Sequence, residues 1–494
     1  MLFSSIPFLY YFLPPVLALY FLAPAGWRNT VLLLASLCFY GWGEPKYLLL
    51  MLLSILAGYL SGLLLEKYRG QAAARIICGL SVGVSLSFLL YYKYTDFFLE
   101  SFSALTGHEV PLLEIALPIG ISFYTFQIIS YTVDVYRGEP AQRSFIRLAA
   151  YVSMFPQLIA GPIVRYSTVA AQLEKRSLSS AACAEGIRRF LLGLAKKILI
   201  ANQLGEFCAA FRASGEKSLL FYWLYAFAFA LQIYFDFSGY SDMAIGLGRI
   251  LGFSFPENFN YPYISSSITE FWRRWHISLG TWFRDYVYIP LGGNRKGRAR
   301  QLFNILVVWA LTGFWHGAAW NFVVWGLLFA LLLILEKSWL LPHLRRRRFL
   351  SHVYVLFFVT VSFVIFNAQD MGQALSDLAG LLGINLSGTA SLRGIFTAGG
   401  LLEGGFAGTA IEAAHLPFIS PETLYYLRSF AVVFLIAAVG ATPLAKRLAD
   451  KAAARPGTAR LLNLAEPILL LALLLIMTGY LVDGSFNPFL YFRF

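Results

Sequence analysis

Apolar stretches of about 16 to 22 residues recur along the whole chain, each near the roughly 20 residues that carry an α-helix across hydrocarbon. Such a pattern leaves little freedom, because backbone polar groups in lipid must be satisfied within helices or a closed barrel. With 58% hydrophobic and 13% charged residues over 494 positions, a soluble multi-domain protein is excluded. The expectation is an all-α polytopic membrane protein with about 11–13 transmembrane helices plus re-entrant segments. A single multi-pass transmembrane domain over 1–494 is expected.

Candidate spans fall near 7–25, 29–43, 47–65, 75–92, 113–135, 187–204, 219–237, 352–368, 429–445 and 465–483. The first lacks a positive leader and reads as a retained span. The net charge of +13 gives the orientation, since short loops rich in Lys and Arg stay cytoplasmic. The loops 66–75 and 446–460 are basic. The loop 93–114 and the segment 369–427 are acidic and read external, so both termini face outward. The same charge does not indicate nucleic-acid binding, because the basic clusters are short and separated by membrane-length apolar runs. Four scattered cysteines suggest neither a disulfide scaffold nor a zinc site.

Several segments depart from plain spans. YVSMFPQLIAGPIVRY carries Pro156, Gly161 and Pro162 between two basic flanks and reads as a re-entrant hairpin or as a kinked core helix. DFSGYSDMAIGLGRILGF places Asp236, Ser238, Ser241 and Asp242 at the edge of an apolar run. They either face a bundle interior or cap a helix and tie down a turn. From Asn258 to Arg300 there is no clean span. From Arg273 onward, Arg273, Arg274, Arg284, Arg295, Lys296, Arg298 and Arg300 face one acid, Asp285, and Trp272, Trp275, Trp282 and Tyr286 suit an interface. LGGNRKGR makes a glycine turn whose amides and cations suit phosphate, as they would suit any cytoplasmic loop. The run Phe303–Trp315 is about 20 Å as helix and too short to cross, so His316 is expected well inside the membrane at a turn-back.

Only six histidines occur in the chain, and His276 and His316 lie in this unusual region. Metal binding is not indicated, since zinc needs three or four converging ligands. Three roles stay open: a satisfied core residue, a proton relay in a polysaccharide or proton-coupled transporter, and a general base. A base activating a hydroxyl toward a thioester needs a neutral imidazole, which an apolar site favours. Arg273, Arg274, Arg284, Arg295 and Lys296 would hold the phosphates of a coenzyme A donor at the cytoplasmic mouth.

The segments SITEFWRRWHISLGTWFRDYVYIPLGGNRKG and GFWHGAAWNFVVWG resemble the signature of the membrane-bound O-acyltransferase family. ALPIGISFYTFQIISYTVDVYRG, FPQLIAGPIVRY and YFDFSGYSDMAIGLG add to that resemblance, which is to the bacterial branch for exported, alginate-like polysaccharides. It implies a ring of helices around a central tunnel, with a catalytic core at about 115–340, an external segment at 369–427 and a terminal motif at 485–494. By the same resemblance His316 is the catalytic base and His276 the second polar residue of the site. Asp236, Ser238, Trp275, Trp315 and Asn321 are candidate tunnel-lining residues. The implied activity moves acetyl from cytoplasmic acetyl-CoA, with no bound cofactor, to an exported polysaccharide. Its implied partner is a periplasmic or extracellular esterase-like transferase of the SGNH type. Peptidoglycan as acceptor and D-alanyl as cargo remain rivals within the family.

The tail FNPFLYFRF resembles the terminal motif of the small membrane subunit of teichoic-acid D-alanylation, which makes Tyr491 a candidate acyl carrier; an aromatic interface anchor is the alternative. A phenyl ester leaves more readily than a sugar ester, so a carrier tyrosine would keep the acyl group activated. Tyr491→Phe keeps the ring and removes the oxygen. A carrier role predicts loss of polymer acetylation, measured as ester-linked acetate on exported polymer, and unchanged acetylation rules it out.

Overall fold

The computed structural model describes residues 2–159, 161–387, 412–483 and 489–490. Its helices in chain order are α1 (Leu13–Leu22), α2 (Arg28–Gly43), α3 (Leu48–Lys67), α4 (Ala72–Thr106), α5 (Ile121–Tyr136), α6 (Phe145–Ser153), α7 (Phe155–Leu158), α8 (Tyr166–Glu174), α9 (Ser180–Ala195), α10 (Asn202–Ala213) and α11 (Leu219–Ile250). There follow α12 (Ile268–Arg274), α13 (Ile277–Phe283), α14 (Arg298–His316), α15 (Trp320–Leu335), α16 (Leu341–Arg346), α17 (Arg348–Asn367) and α18 (Met371–Leu381). A two-stranded antiparallel ribbon, β1 (Ile384–Ser387) with β2 (Glu412–His415), pairs Ile384 with His415. The chain then continues through α19 (Pro421–Gly440), α20 (Leu444–Ala453) and α21 (Pro456–Val482).

The protein is an all-α, multi-pass membrane protein. Seven helices among the described residues are long and apolar enough to cross a membrane: Pro45–Lys67, Ala72–Thr106, Leu219–Ile250, Trp320–Arg346, Arg348–Asn367, Pro421–Gly440 and Pro456–Val482. Other apolar segments form shorter helices, such as α2 and α5 at 16 residues each. The segment expected to be re-entrant is α6 and α7, nine and four residues. At 1.5 Å per residue neither can cross. Tyr151, Met154, Phe155 and Leu158 are fully buried there, and Gln157 donates to the Tyr151 carbonyl, so protein rather than lipid surrounds the break.

Three boundaries differ from the sequence expectation, each for a physical reason. The fourth span does not end near residue 92; α4 runs 35 residues to Thr106. Lys93 is carried inward on it instead of lying in an external loop, because its ammonium meets helix-end carbonyls. Asp236, Ser238, Ser241 and Asp242 do not cap a helix. They lie inside the unbroken 32-residue α11, where Lys197 pairs with Asp236 and both Arg189 and Lys196 pair with Asp242. Finally, α14 is 19 residues rather than 13, about 28 Å at 1.5 Å per residue, so the shortness expected to hold His316 well inside the membrane is absent. The first turn of α14 is built from arginines that bond backbone: Arg298 donates to the Ser338 carbonyl and Arg300 to that of Leu291.

The core is organised along α11. Its first half, Phe221 to Phe235, belongs to one buried cluster with α15, α17 and α19. The second half, Tyr240 to Ile250, belongs to another with α1 to α6 and α9. Between the halves sit Asp236 and Phe237. α9 packs most extensively against α11, and glycines allow the close approach. A Cβ built on Gly193 would lie 2.6 Å from the Gly239 carbonyl oxygen, and one on Gly239 would lie 2.7 Å from that of Gly193. Small residues at crossings are how membrane helices pack without a hydrophobic drive between them.

This crossing predicts a contrast. Gly239→Ala should cost about 1–3 kcal/mol by overpacking, whereas Gly79→Ala, where a Cβ meets nothing within 4 Å, should be neutral or stabilising by up to about 1 kcal/mol. Unfolding midpoints in SDS titrations of the purified variants in mixed micelles measure the difference; equal midpoints would refute the crossing.

Candidate functional site

His316 is the last residue of α14, where the chain turns back into α15. The two helices touch at Gly313 and Gly326: a Cβ on either would meet a backbone oxygen of the other helix at 2.4 Å. Gly317 follows in extended backbone, and a Cβ there would strike the Phe322 ring at 2.2 Å. The WHG sequence is thus a helix end, a histidine and the one residue type that fits beneath a phenyl ring.

Trp315 lies against both imidazoles, with ring centroids 4.9 Å from His316 and 6.2 Å from His276. Trp325 and Phe366 meet the His316 ring nearly at right angles, at 5.2 and 5.3 Å. The Nδ1 of His316 is buried with no hydrogen-bond partner among the described residues. An orphaned ring nitrogen in an apolar wall is costly.

His276 joins α12 to α13 in the left-handed region, φ 45°. Asn258 holds that strained corner. Its Oδ1 accepts from the Ser278 amide at 3.2 Å and the Ser278 hydroxyl at 2.8 Å, and it lies 3.2 Å from His276 Nδ1. Its Nδ2 donates to Ser241 on α11. Because the Ser278 amide can only donate, the Asn258 oxygen is an acceptor, so His276 Nδ1 carries the proton. That leaves the Nε2 lone pair of His276 buried and without a partner among the described residues.

The cavity lined by His316 is narrow, about 30 Å³, and walled by Asp236, Tyr240, Trp275, Phe366, Phe489 and Leu490 among others. It has room for roughly two waters. Asp236 is buried and fully engaged: Oδ1 faces Lys197 Nζ, and Oδ2 accepts the Leu490 amide at 2.8 Å. The Phe489 ring packs edge-on against Tyr240 at 4.6 Å and under Lys197 Nζ at 4.7 Å. The C-terminal segment therefore enters the same cavity as His316. Tyr491 lies outside the described residues.

Of the other expected lining residues, Trp275 lines the cavity, and Trp315 braces the two imidazoles. Ser238 is buried without lining the cavity. Asn321 is buried too and donates to the Ile365 and Ala368 carbonyls, tying α15 to the end of α17. The expected donor-binding cations separate into two sets. Arg274 pairs with Glu270 and bonds the Asn260 carbonyl, while Arg284 pairs with Asp285, which also takes Arg165. Arg273, Arg295 and Lys296 are exposed and form no ion pair among the described residues. Arg295 and Lys296 sit in a turn where Gly292, Gly293 and Gly297 have positive φ.

Three participants escaped the sequence reading. Asn258 carried no signal, being one amide among many. Lys197 did: a lysine pair interrupting the apolar run GLAKKILIAN is an ionisable group at membrane depth, which marks a partnered site by default. Lys93 was hidden by the acids after it, which made its surroundings look like an external loop.

Asn258→Ala is expected to free the His276 ring and orphan the Ser278 amide, destabilising the fold by about 1–3 kcal/mol. Asn258→Asp keeps the acceptor and should lose less. Thermal midpoints of the two purified variants give the comparison, and equal losses would contradict the acceptor role.

Residues 113–369 match the family model of the membrane-bound O-acyltransferases. The chain is 45% identical over 382 residues to a protein of Azotobacter vinelandii named probable alginate O-acetylase AlgI, covering 76% of each. It is 44% identical over 387 residues to the protein of that name in Pseudomonas putida, covering 76% of this chain and 79% of the other. It is 35% identical over 425 residues to the peptidoglycan O-acetyltransferase of Helicobacter pylori, covering 78% and 80%. With a histidine-bearing helix turn set in a buried aromatic cavity and a family match over more than half its length, this chain belongs to the membrane-bound O-acyltransferase family.

Proposed function

We propose that this O-acyltransferase takes acetyl from acetyl-CoA at the cytoplasmic face of a bacterial inner membrane and passes it outward for O-acetylation of an exported, alginate-like polysaccharide. The observation that carries the reading is His316. It is a buried imidazole whose Nδ1 has no partner among the described residues, on a cavity that the C-terminal segment also enters. In the proposed step His316 Nε2 takes the proton of an acceptor hydroxyl. The hydroxyl oxygen attacks the thioester carbonyl, the C–S bond breaks, and the thiolate of coenzyme A leaves and recovers the proton. His276, which is linked to His316 through the Trp315 ring without lining the cavity itself, is the proposed second polar residue that orients the acceptor.

Tyr491 is the proposed first acceptor, because Leu490 just before it lines the cavity and is held by Asp236. A periplasmic or extracellular SGNH-type transferase would then move the acetyl from the phenyl ester to the polymer. Arg273, Arg295 and Lys296, exposed on the basic segment, are the proposed contacts for the donor's phosphates. One feature favours acetyl over D-alanyl: both oxygens of the cavity's carboxylate, Asp236, are already engaged, which leaves no counter-charge for an ammonium. Peptidoglycan stays the rival acceptor, since the Helicobacter pylori relative carries that name.

Purified protein in vesicles, given acetyl-CoA labelled in the acetyl group, tests this reading. Loss of thioester with label on the protein is expected, and His316→Ala should lower it by about 10²–10⁴-fold, the usual contribution of a general base. Movement of an intact solute with no thioester consumed would instead support transport.

A further inference from the structure

α14 ends without the usual closure. A helix C-terminus leaves its last carbonyls unbonded within the helix, and a left-handed glycine commonly follows to satisfy them. Here Gly317 is extended, φ −165° and ψ 153°, so that device is missing.

The donors come from α4. Tyr94 Oη donates to the Phe314 carbonyl at 2.7 Å, and Lys93 Nζ donates to those of Trp315 at 2.6 Å and His316 at 3.3 Å. Three consecutive carbonyls are thus satisfied by two adjacent residues more than two hundred positions earlier. The Tyr94 ring also stacks on Phe314, with centroids 4.0 Å apart and planes at 13°. Lys93 is half-buried, and among the described residues no carboxylate pairs with it. The negative end of the α14 dipole is what faces its charge.

We infer that Lys93 and Tyr94 are positioning residues for His316, fixing the helix end that aims its imidazole into the cavity. Lys93 holds the backbone of His316 itself and also of Trp315, the ring braced against both imidazoles. Its ammonium lies 6.0 Å from the Trp315 ring centroid. The kinetic consequence rests on the reading of His316 as the base; the structural one does not.

The test uses the full chain in lipid nanodiscs with Lys93→Met, Lys93→Arg and Tyr94→Phe. Lys93→Met removes the charge and the donors at similar length. It should lower kcat by about tenfold or more, the scale of a lost charge-assisted hydrogen bond, with KM for acetyl-CoA within about twofold. Lys93→Arg should recover most of that loss. Hydrogen exchange of peptides covering 312–322 should quicken by about tenfold in Lys93→Met, and less in Tyr94→Phe, which keeps its stacking. Wild-type kcat together with wild-type exchange in Lys93→Met would overturn the assignment, as would a loss confined to KM. If the unmodified protein consumes no thioester, the acyltransferase reading fails, and the exchange data still decide whether α4 holds the end of α14. Should Lys93→Met not fold, Tyr94→Phe carries both readouts.

Discussion

Hydrocarbon offers no hydrogen bonds, so wherever this chain breaks a helix at depth or carries a charge there, another part of the protein must supply the partner. The site is assembled from such repairs. The end of α14 is met by Lys93 and Tyr94, Asp236 by Lys197 and the Leu490 amide, and the left-handed corner at His276 by Asn258. Nδ1 of His316 and Nε2 of His276 are two of eighteen buried side-chain atoms without a partner among the described residues, and His316 is set apart by lining the cavity. An unsatisfied buried polar atom calls for a reason, and for His316 chemistry on a bound substrate supplies one.

The repairs converge because α11 passes through the middle of the molecule. One half of it belongs to each of two large apolar clusters, and the residues between the halves carry Asp236 and Phe237. Phe237 stands edge-on to the His276 ring at 4.7 Å. A third cluster, with Trp315 and Trp282, closes the remaining side. Glycine contacts at the crossing with α9 and in the α14–α15 hairpin bring backbones close, so the helices that bear the site are held by packing as well as by polar contacts. The cavity lies between the two large clusters, lined by Tyr240 and Phe489 from one and by Trp275, Trp325 and Phe366 from the other.

Much of this was legible in the residues. Membrane-length apolar runs announced the class, and the turn-back at WHGAAW followed from a histidine and a glycine interrupting one of them. The closeness of His276 and His316 through Trp315 was not derivable from spacing; the family resemblance supplied the pairing. The errors have a common cause. Counting apolar residues ends a helix at its first charge, which cut α4 at Lys93, α11 at Asp236 and the start of α14 at its arginines. In each case a partner remote in sequence, or a nearby carbonyl, lets the helix continue through the charge. Asn258 shows the opposite limit: its weight comes wholly from what the fold brings to it, so no local pattern could mark it.

The most direct test is an experimental structure of the protein with a non-hydrolysable thioether analogue of acetyl-CoA. The phosphates should lie on the basic segment beside Arg295 and Lys296. The acyl carbon should sit in the cavity between His316, Asp236 and Trp275, within about 3–4 Å of where a hydroxyl bonded to Nε2 of His316 would stand. An analogue bound with its acyl end outside that cavity, or a His316 sealed from both aqueous sides with the donor in place, would contradict the assignment of this imidazole as the base.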